Sequence, residues 1–320
     1  MRQYVLRRLL MFFPTLAVAS VAIFVIMRLL PGDVALLILG GGDMSGDLAN
    51  QQLQAYRQAL GLNDPYPLQY IHWIWSLVDG SFGGASLFDR ESVGAIIARR
   101  LPVTLQLAGY AVILSALVSV PLGVLAAVSR DRWPDYLVRV VTIAGNAVPN
   151  FWVALLLLLL LSLYFAWTPP VFYKNLWDDP GAHVQKVIWP TLILAWGFSA
   201  NVTRVTRASM LEVLRQDYVR TALAKGLASR VVVVRHALRN ALMPVITLSG
   251  LQLAGLLGGT VILETIFGLP GLGQGIVLAA STRDYPVIQG LVLLLVFIML
   301  SLNLIVDSLY AFVDPRISYR

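Results

Sequence analysis

Six stretches of this chain are long and apolar enough to cross a bilayer, roughly Leu9–Leu30, Pro102–Val128, Val140–Trp167, Val187–Met210, Leu238–Leu263 and Val287–Val313. A spanning helix needs about 20 apolar residues. Inside hydrocarbon the backbone must satisfy its own polar groups, and runs of this length do so as helices. The few charges within them lie mainly near the ends, and Pro14, Pro121, Pro149, Pro190 and Pro244 fall within or near spans, where neighbouring helices can re-satisfy freed backbone groups. Composition agrees: 58% of residues are hydrophobic and 13% charged, against about half and about a quarter in soluble domains. The expected fold is an all-α membrane protein with six transmembrane helices. Ala17-Val18-Ala19 resembles a signal-peptidase site, but apolar residues run on to Leu30, too far for a signal peptide, so this stretch reads as a retained first helix.

The charges set the orientation. With the N-terminus in the cytoplasm, the inside segments are the first eight residues, 129–139, 204–239 and 314–320, which hold 16 of the 24 basic residues. An excess of Lys and Arg in short inside loops is the rule for membrane helices. Both termini are therefore expected in the cytoplasm. The net charge of +7 lies between apolar runs rather than along one face, so it reads as topology and not as a nucleic-acid surface. Residues 31–100 form the one large external segment, with a polar helical stretch (Asp47–Leu60), a turn (Gly61–Pro67), an aromatic stretch (Tyr70–Trp75) and Gly80–Gly84; it reads as a small folded cap. Shorter external loops cover 168–186 and 264–286, and Trp167 and Trp189 sit where an aromatic belt is expected.

Several chemistries are absent from the sequence. None of the three lysines (Lys174, Lys186, Lys225) follows a glycine, so no Walker A motif exists. His72, His183 and His236 are too scattered for a metal-site motif, and the chain has no cysteine to serve as nucleophile, thiolate ligand or disulfide. Gly271, Gly273 and Gly275 imitate part of a dinucleotide fingerprint but lack its strand–helix context, and read as tight turns. No catalytic residue, cofactor or metal is expected on this chain. It is a membrane protein whose energy comes from an ion gradient or from another subunit.

One polar island remains, Glu212–Pro244. From Arg204 to Arg239 it carries eight basic residues against Glu212 and Asp217. Val219, Leu223 and Leu227 recur at i, i+4 and i+8, with Tyr218 and Ala222 beside them, which forms one apolar stripe on a short helix. Arg220 and Lys225 point elsewhere, and Gly226 permits a cap. These residues suit two roles, a helix lying on anionic lipid or a helix docked on a partner protein.

The stretch Thr206–Leu227 followed by Arg235–Pro244 resembles the cytoplasmic loop of the peptide-type permeases of bacterial ABC importers, the dipeptide, oligopeptide and nickel group. Other matching motifs follow in order: Leu30-Pro31-Gly32-Asp33, Leu60-Gly61-Leu62, Pro67-Leu68-Gln69-Tyr70 and Arg100–Leu105. Pro149, Phe151 and Trp152 continue the series, then Glu264–Phe267, Pro270–Gly273, Arg283–Pro286, Asp307 and Asp314–Ile317. Three departures stand out. Leu223 replaces a frequent arginine, Asn150 replaces a small residue, and the loop's closing proline comes late, at Pro244.

The resemblance implies a type I ABC importer transmembrane domain. Residues 1–30 would be the N-terminus and first helix, 31–100 an external cap, and 101–320 a permease core with a cytoplasmic coupling loop at 210–238. It implies an inner-membrane pore subunit for di- or oligopeptides, completed by a homologous second permease. Two ATP-binding subunits would carry ATP and Mg, and an extracytoplasmic binding protein would deliver substrate. Tyr218, Val219, Arg220, Thr221, Ala222, Lys225, Gly226 and Leu227 would then couple to an ATP-binding subunit.

Asn146, Asn150, Asn201 and Gln252 are candidate pathway-lining residues; helix–helix hydrogen bonds account for such amides, Gln106 included, equally well. Gly255 and Gly259 read as a packing face, Arg204 and Arg207 as side chains reaching to the inner interface, and Asp33, Asp64, Asp89, Asp284 and Tyr285 as solvated loop residues. The same architecture carrying nickel, glutathione or another small solute is an alternative. A rival from another class, an ion-driven secondary transporter, calls for acids in mid-span and inverted repeats, and neither is found.

Overall fold

A computed structural model of the chain describes residues 2–29, 51, 53–55, 57–58 and 61–313. Most of the polar stretch 47–60, with Asp33 and the motifs at 30–33 and 314–317, lies outside the described residues. Apart from one isolated antiparallel bridge, Ala85–Ser92, the ordered elements among the described residues are helical. They are α1 (Arg2–Leu29), α2 (Tyr66–Val78), α3 (Val93–Val128), α4 (Trp133–Ala147), α5 (Asn150–Phe165), α6 (Pro180–Val213) and α7 (Asp217–Ala224). A single turn, Ser229–Val231, and a π-helical stretch, Val232–Ala237, run on into α8 (Leu238–Phe267). The chain closes with α9 (Leu272–Thr282) and α10 (Tyr285–Val313).

Among the described residues four helices are long and apolar enough to span a membrane, and up to six spans result if each of two bent pairs counts as one. The expected span Val140–Trp167 falls across one of those pairs: α4 and α5 meet at 102°. The cause is local. Proline disfavours a helical conformation in the residue before it and has no N–H to donate. Val148 is accordingly extended (φ −93°, ψ 124°), and α5 starts afresh behind Pro149.

The expected span Val187–Met210 lies within the continuous helix α6, which is not among the four. Its buried residues include Thr191, Ser199, Thr203 and Thr206 beside Ile193, Leu194 and Phe198, while Val184, Ile188 and Leu192 stay exposed along one side. A helix packed against α4, α5 and α8 can bury polar side chains on its protein-facing sides, which lowers the mean hydropathy of the run.

The chain forms two compact units. One comprises Leu9–Pro102 and Gly271–Ile298. In it α2 lies on α1 through Phe24, Tyr70 and Trp73, with a 2.8 Å hydrogen bond between the Ser20 and Tyr70 hydroxyls. Val93, Leu272 and Leu291 are fully buried at its second core. Asp284 and Tyr285, expected in solvent, are both 4% exposed. Asp284 accepts from the Ser86 hydroxyl at 2.6 Å and from the Leu87 N–H at 3.3 Å, tying the turn before α3 to the start of α10. Gly275 is needed for close approach, since a Cβ there would lie 2.9 Å from the Arg100 side chain. Arg100 donates to the Gly271 carbonyl at 3.1 Å.

The other unit comprises Met1–Arg8, Val103–Pro270 and Met299–Arg320. It contains α4 to α8, and its core centres on Leu107, Leu194, Phe198, Leu263 and Phe267. Both parts of the candidate site lie here.

Candidate functional site

Helix α7 is eight residues long, too short to persist in water without packing. Asp217 stands in its first turn, where the helix dipole favours an acid. Its C-terminus closes on Gly226 at φ +83°, a backbone conformation that an L side chain rarely adopts. The Gly226 N–H donates to the Leu223 carbonyl at 2.9 Å and the Leu227 N–H to the Ala222 carbonyl at 3.3 Å, the paired bonds of a Schellman cap. A Cβ on Gly226 would touch nothing, so conformation and not crowding selects glycine here.

The buried face of α7 differs from the expected stripe. Val219 (1% exposed) and Ala222 (9%) pack against Val232, Val213 and Leu214, whereas Leu223 and Leu227 are 46% and 41% exposed. The helix ends at Ala224, so Leu227 has left the helical register altogether. Val219 and Ala222, three residues apart, define the face that meets the end of α6 and the π-helical stretch. Burying Val219 contributes about 1.5–2 kcal/mol to that contact. Tyr218 is exposed on its ring, but its hydroxyl accepts a 2.7 Å hydrogen bond from Asn240 Nδ2 on α8. Arg220, Thr221 and Lys225 are exposed. The Thr221 hydroxyl returns to the Asp217 carbonyl at 2.9 Å, and Arg220 makes a loose 3.7 Å pair with Asp217 in open solvent. Outward, then, α7 and its C-terminal cap present an aromatic ring, two leucines and two cations.

The second part of the site is a cavity of about 450 Å³ lined by Asn150, Asn201, Gln252, Leu194, Phe198 and the glycines Gly197, Gly255 and Gly259. Three of the four expected pathway residues thus meet at one place, although they stand on α5, α6 and α8. The fourth, Asn146, donates to Asn201 Oδ1 at 3.2 Å. Arg204 donates to the same oxygen at 2.8 Å. Asn150 lies over Gly197, where a Cβ would come within 2.9 Å of its amide oxygen. Gly255, expected as a packing face, has open space around it and forms cavity wall. Side-chain amides both donate and accept, so the lining can pair with uncharged polar groups. Gln106 is elsewhere, accepting from the Tyr173 hydroxyl at 2.8 Å.

The expectation for Arg207 also changes. It does not stand alone; it donates twice, at 2.6 and 2.8 Å, to Asp135, which is fully buried at the start of α4. Arg139 adds a 3.2 Å contact and the Asp131 N–H a 3.0 Å bond. Asp135 was not anticipated, although the i, i+4 spacing of Asp135 and Arg139 was a readable signal. Asn240 was missed as well. Among the described residues no group of three or more His, Asp or Glu side chains is placed to hold a metal ion.

Comparison with known proteins assigns the family. Residues 119–319 match the model of the binding-protein-dependent transport system inner membrane component, and residues 1–108 match that of its N-terminal region. The oligopeptide transport system permease protein AppB of Bacillus subtilis is 39% identical over 321 residues, covering all of both chains. The glutathione transport system permease protein GsiC of Escherichia coli K12 is 40% identical over 320 residues, again covering all of both. A solved amino acid ABC transporter aligns at a TM-score of 0.47 and 16% identity, over 70% of this chain and 94% of that one, too slight a likeness to carry an inference. The chain belongs to the binding-protein-dependent transport system inner membrane component family and is a multi-pass permease subunit of an ABC importer.

Proposed function

We propose that this permease forms half of a peptide-conducting pore and that α7 is its coupling helix. A homologous second permease completes the pore, two ATP-binding subunits hold ATP and Mg, and an extracytoplasmic binding protein delivers the substrate. All hydrolysis belongs to the ATP-binding subunits. Both termini and α7 face the cytoplasm, and residues 31–100 form the external cap over the core 101–320.

The observation that carries this reading is the division of α7 into an anchored face and a presented one. Val219 and Ala222 hold it to its own subunit, while Tyr218, Leu223, Leu227, Arg220 and Lys225 stand outward. A bare lipid-surface helix would turn its largest apolar residues to one side and its cations to the other. Here Tyr218, Leu223 and Leu227 stay more than 40% exposed around the anchored face, with the cations exposed beside them, which suits a protein groove with an aromatic anchor and basic rim. Movement of the groove shifts α7, and α7 bears on the end of α6 and on the lead-in to α8. Those two helices carry Gly197, Asn201, Gln252, Gly255 and Gly259, so displacing them reshapes the cavity.

For the cargo, the amide lining and exposed glycine backbone favour peptide groups, which need alternating donors and acceptors. Glutathione falls in the same chemical class. A bare divalent cation calls for carboxylate or imidazole ligands, and the cavity has neither among its lining residues.

The test is Gly226→Glu in the assembled complex, reading uptake and substrate-stimulated ATP hydrolysis. Loss of both, or hydrolysis without uptake, is expected; unchanged rates with intact assembly would overturn the coupling role. Uptake by the chain alone, driven by an ion gradient without ATP, would favour a secondary transporter instead.

A further inference from the structure

We propose that Asn240 is a positioning residue for coupling, which sets the angle of α7 by holding the Tyr218 hydroxyl. The inference rests on α7 being the coupling helix and names what fixes it. Among the contacts described above, α7 meets its own subunit through small apolar side chains, Val219 and Ala222 on Val213, Leu214 and Val232. Such a contact resists separation but tolerates rotation, because dispersion and hydrophobic burial have little directionality. The hydrogen bond from Asn240 Nδ2 to the Tyr218 oxygen, at 2.7 Å, is directional and fixes the rotation.

The backbone between the two helices does not fix it. It passes through the cap at Gly226, then the turn Ser229–Val231, then the π-helical stretch Val232–Ala237. π-helical turns break the α-helical hydrogen-bond register and recur at functional sites. No continuous helix therefore passes the angle of α7 to α8. Asn240 stands just past this break on a firm base, since Ala237 and Ala241 beside it are both fully buried against Met210 and Ala127. Its amide also reaches the His236 carbonyl at 3.4 Å, which orients it toward the tyrosine. Gln252, at the cavity, lies twelve residues further along the same helix, about 18 Å by helical rise. The ring of Tyr218, 43% exposed, belongs to the face that α7 turns to its partner. One hydrogen bond thus connects the surface that meets the ATP-binding subunit to the helix that carries the cavity.

The test uses the whole importer in vesicles, with tritiated trialanine and radiolabelled glutathione as separate probes and ATP hydrolysis measured in parallel. Tyr218→Phe removes only the hydroxyl, and Asn240→Ala only the amide. Each is expected to lower transport per ATP hydrolysed about 5-fold, the factor an ordinary neutral hydrogen bond supplies, with complex assembly and melting temperature unchanged. The double variant is expected to fall no further than either single one. An unchanged ratio in either single variant overturns the proposal, as do losses that multiply in the double. A readout independent of cargo is amide hydrogen exchange over residues 217–227 in the complex. About 5-fold faster exchange is expected in both variants, and wild-type exchange overturns the proposal. Gly226→Glu separates the two claims: if it uncouples and these variants do not, the strut fails while the coupling helix stands; if it too is silent, the coupling reading itself fails.

Discussion

Arg207 and Arg220 carry the same guanidinium on consecutive helices, α6 and α7. Arg207 turns inward to a carboxylate with no exposure to solvent, and Arg139 and a backbone N–H complete the shell around Asp135. Arg220 turns outward, 73% exposed, with a loose pair to an Asp217 that is itself 96% exposed. The first region satisfies its charges internally and ties α4 to α6. The second leaves its charges available. On the reading of α7 as a coupling helix, these free charges belong to the surface proposed to meet the ATP-binding subunit. Charge content alone does not separate the two; the location of the counter-charge does.

The largest effect is expected where the charge is internal. Asp135→Ala strands Arg207 beside a buried site and should cost about 3 kcal/mol, read as a lower melting temperature of the purified complex. Asp135→Leu combined with Arg207→Met should recover most of that loss; if the double variant melts as low as the single, the cluster is not self-contained. An intermediate effect belongs to the anchored face of α7. Val219→Ala should cost about 1–2 kcal/mol of local stability, seen as faster amide exchange over 217–224. Leu223→Ala, on the presented face, should change melting by no more than about 0.5 kcal/mol yet reduce substrate-stimulated hydrolysis. If the two variants exchange these phenotypes, the assignment of faces is wrong. The smallest effect is at Arg220. Arg220→Gln should leave the melting temperature unchanged while making binding of the ATP-binding subunit less sensitive to salt, because exposed charges act through screened, longer-range attraction. Salt dependence equal to wild type would place Arg220 outside the contact.

Much of the fold was legible in the sequence, and the reason is local. The long apolar runs mark helices because a backbone in hydrocarbon has to bond to itself. Gly226 reads as a cap because a helix end needs a left-handed residue, whereas the break that Pro149 makes by restricting Val148 was not read from the run Val140–Trp167. The candidate amides Asn150, Asn201 and Gln252 were recognisable one at a time, as polar groups in apolar surroundings. Their meeting in one cavity was not, since α5, α6 and α8 bring them together from positions about 50 residues apart in sequence.

Burial of polar residues was the least legible feature. Asp284 looks like a loop acid until Ser86, 198 positions away in sequence, donates to it. Arg207 looks like a lone cation until α4 supplies Asp135. The stripe of Val219, Leu223 and Leu227 looks like the buried side of α7 until the end of α6 selects Val219 and Ala222. Periodicity shows that a helix has an apolar side, but which residues on that side are covered depends on the element it meets.

By itself, then, the sequence determined the long apolar helices, the cap of α7 and the family, because each follows from neighbouring residues or from motifs that persist as strings. Only the tertiary structure decided which charges are neutralised, which face of α7 is presented and that Asn240 holds Tyr218. Those depend on pairings between distant helices, whose geometry no local pattern encodes.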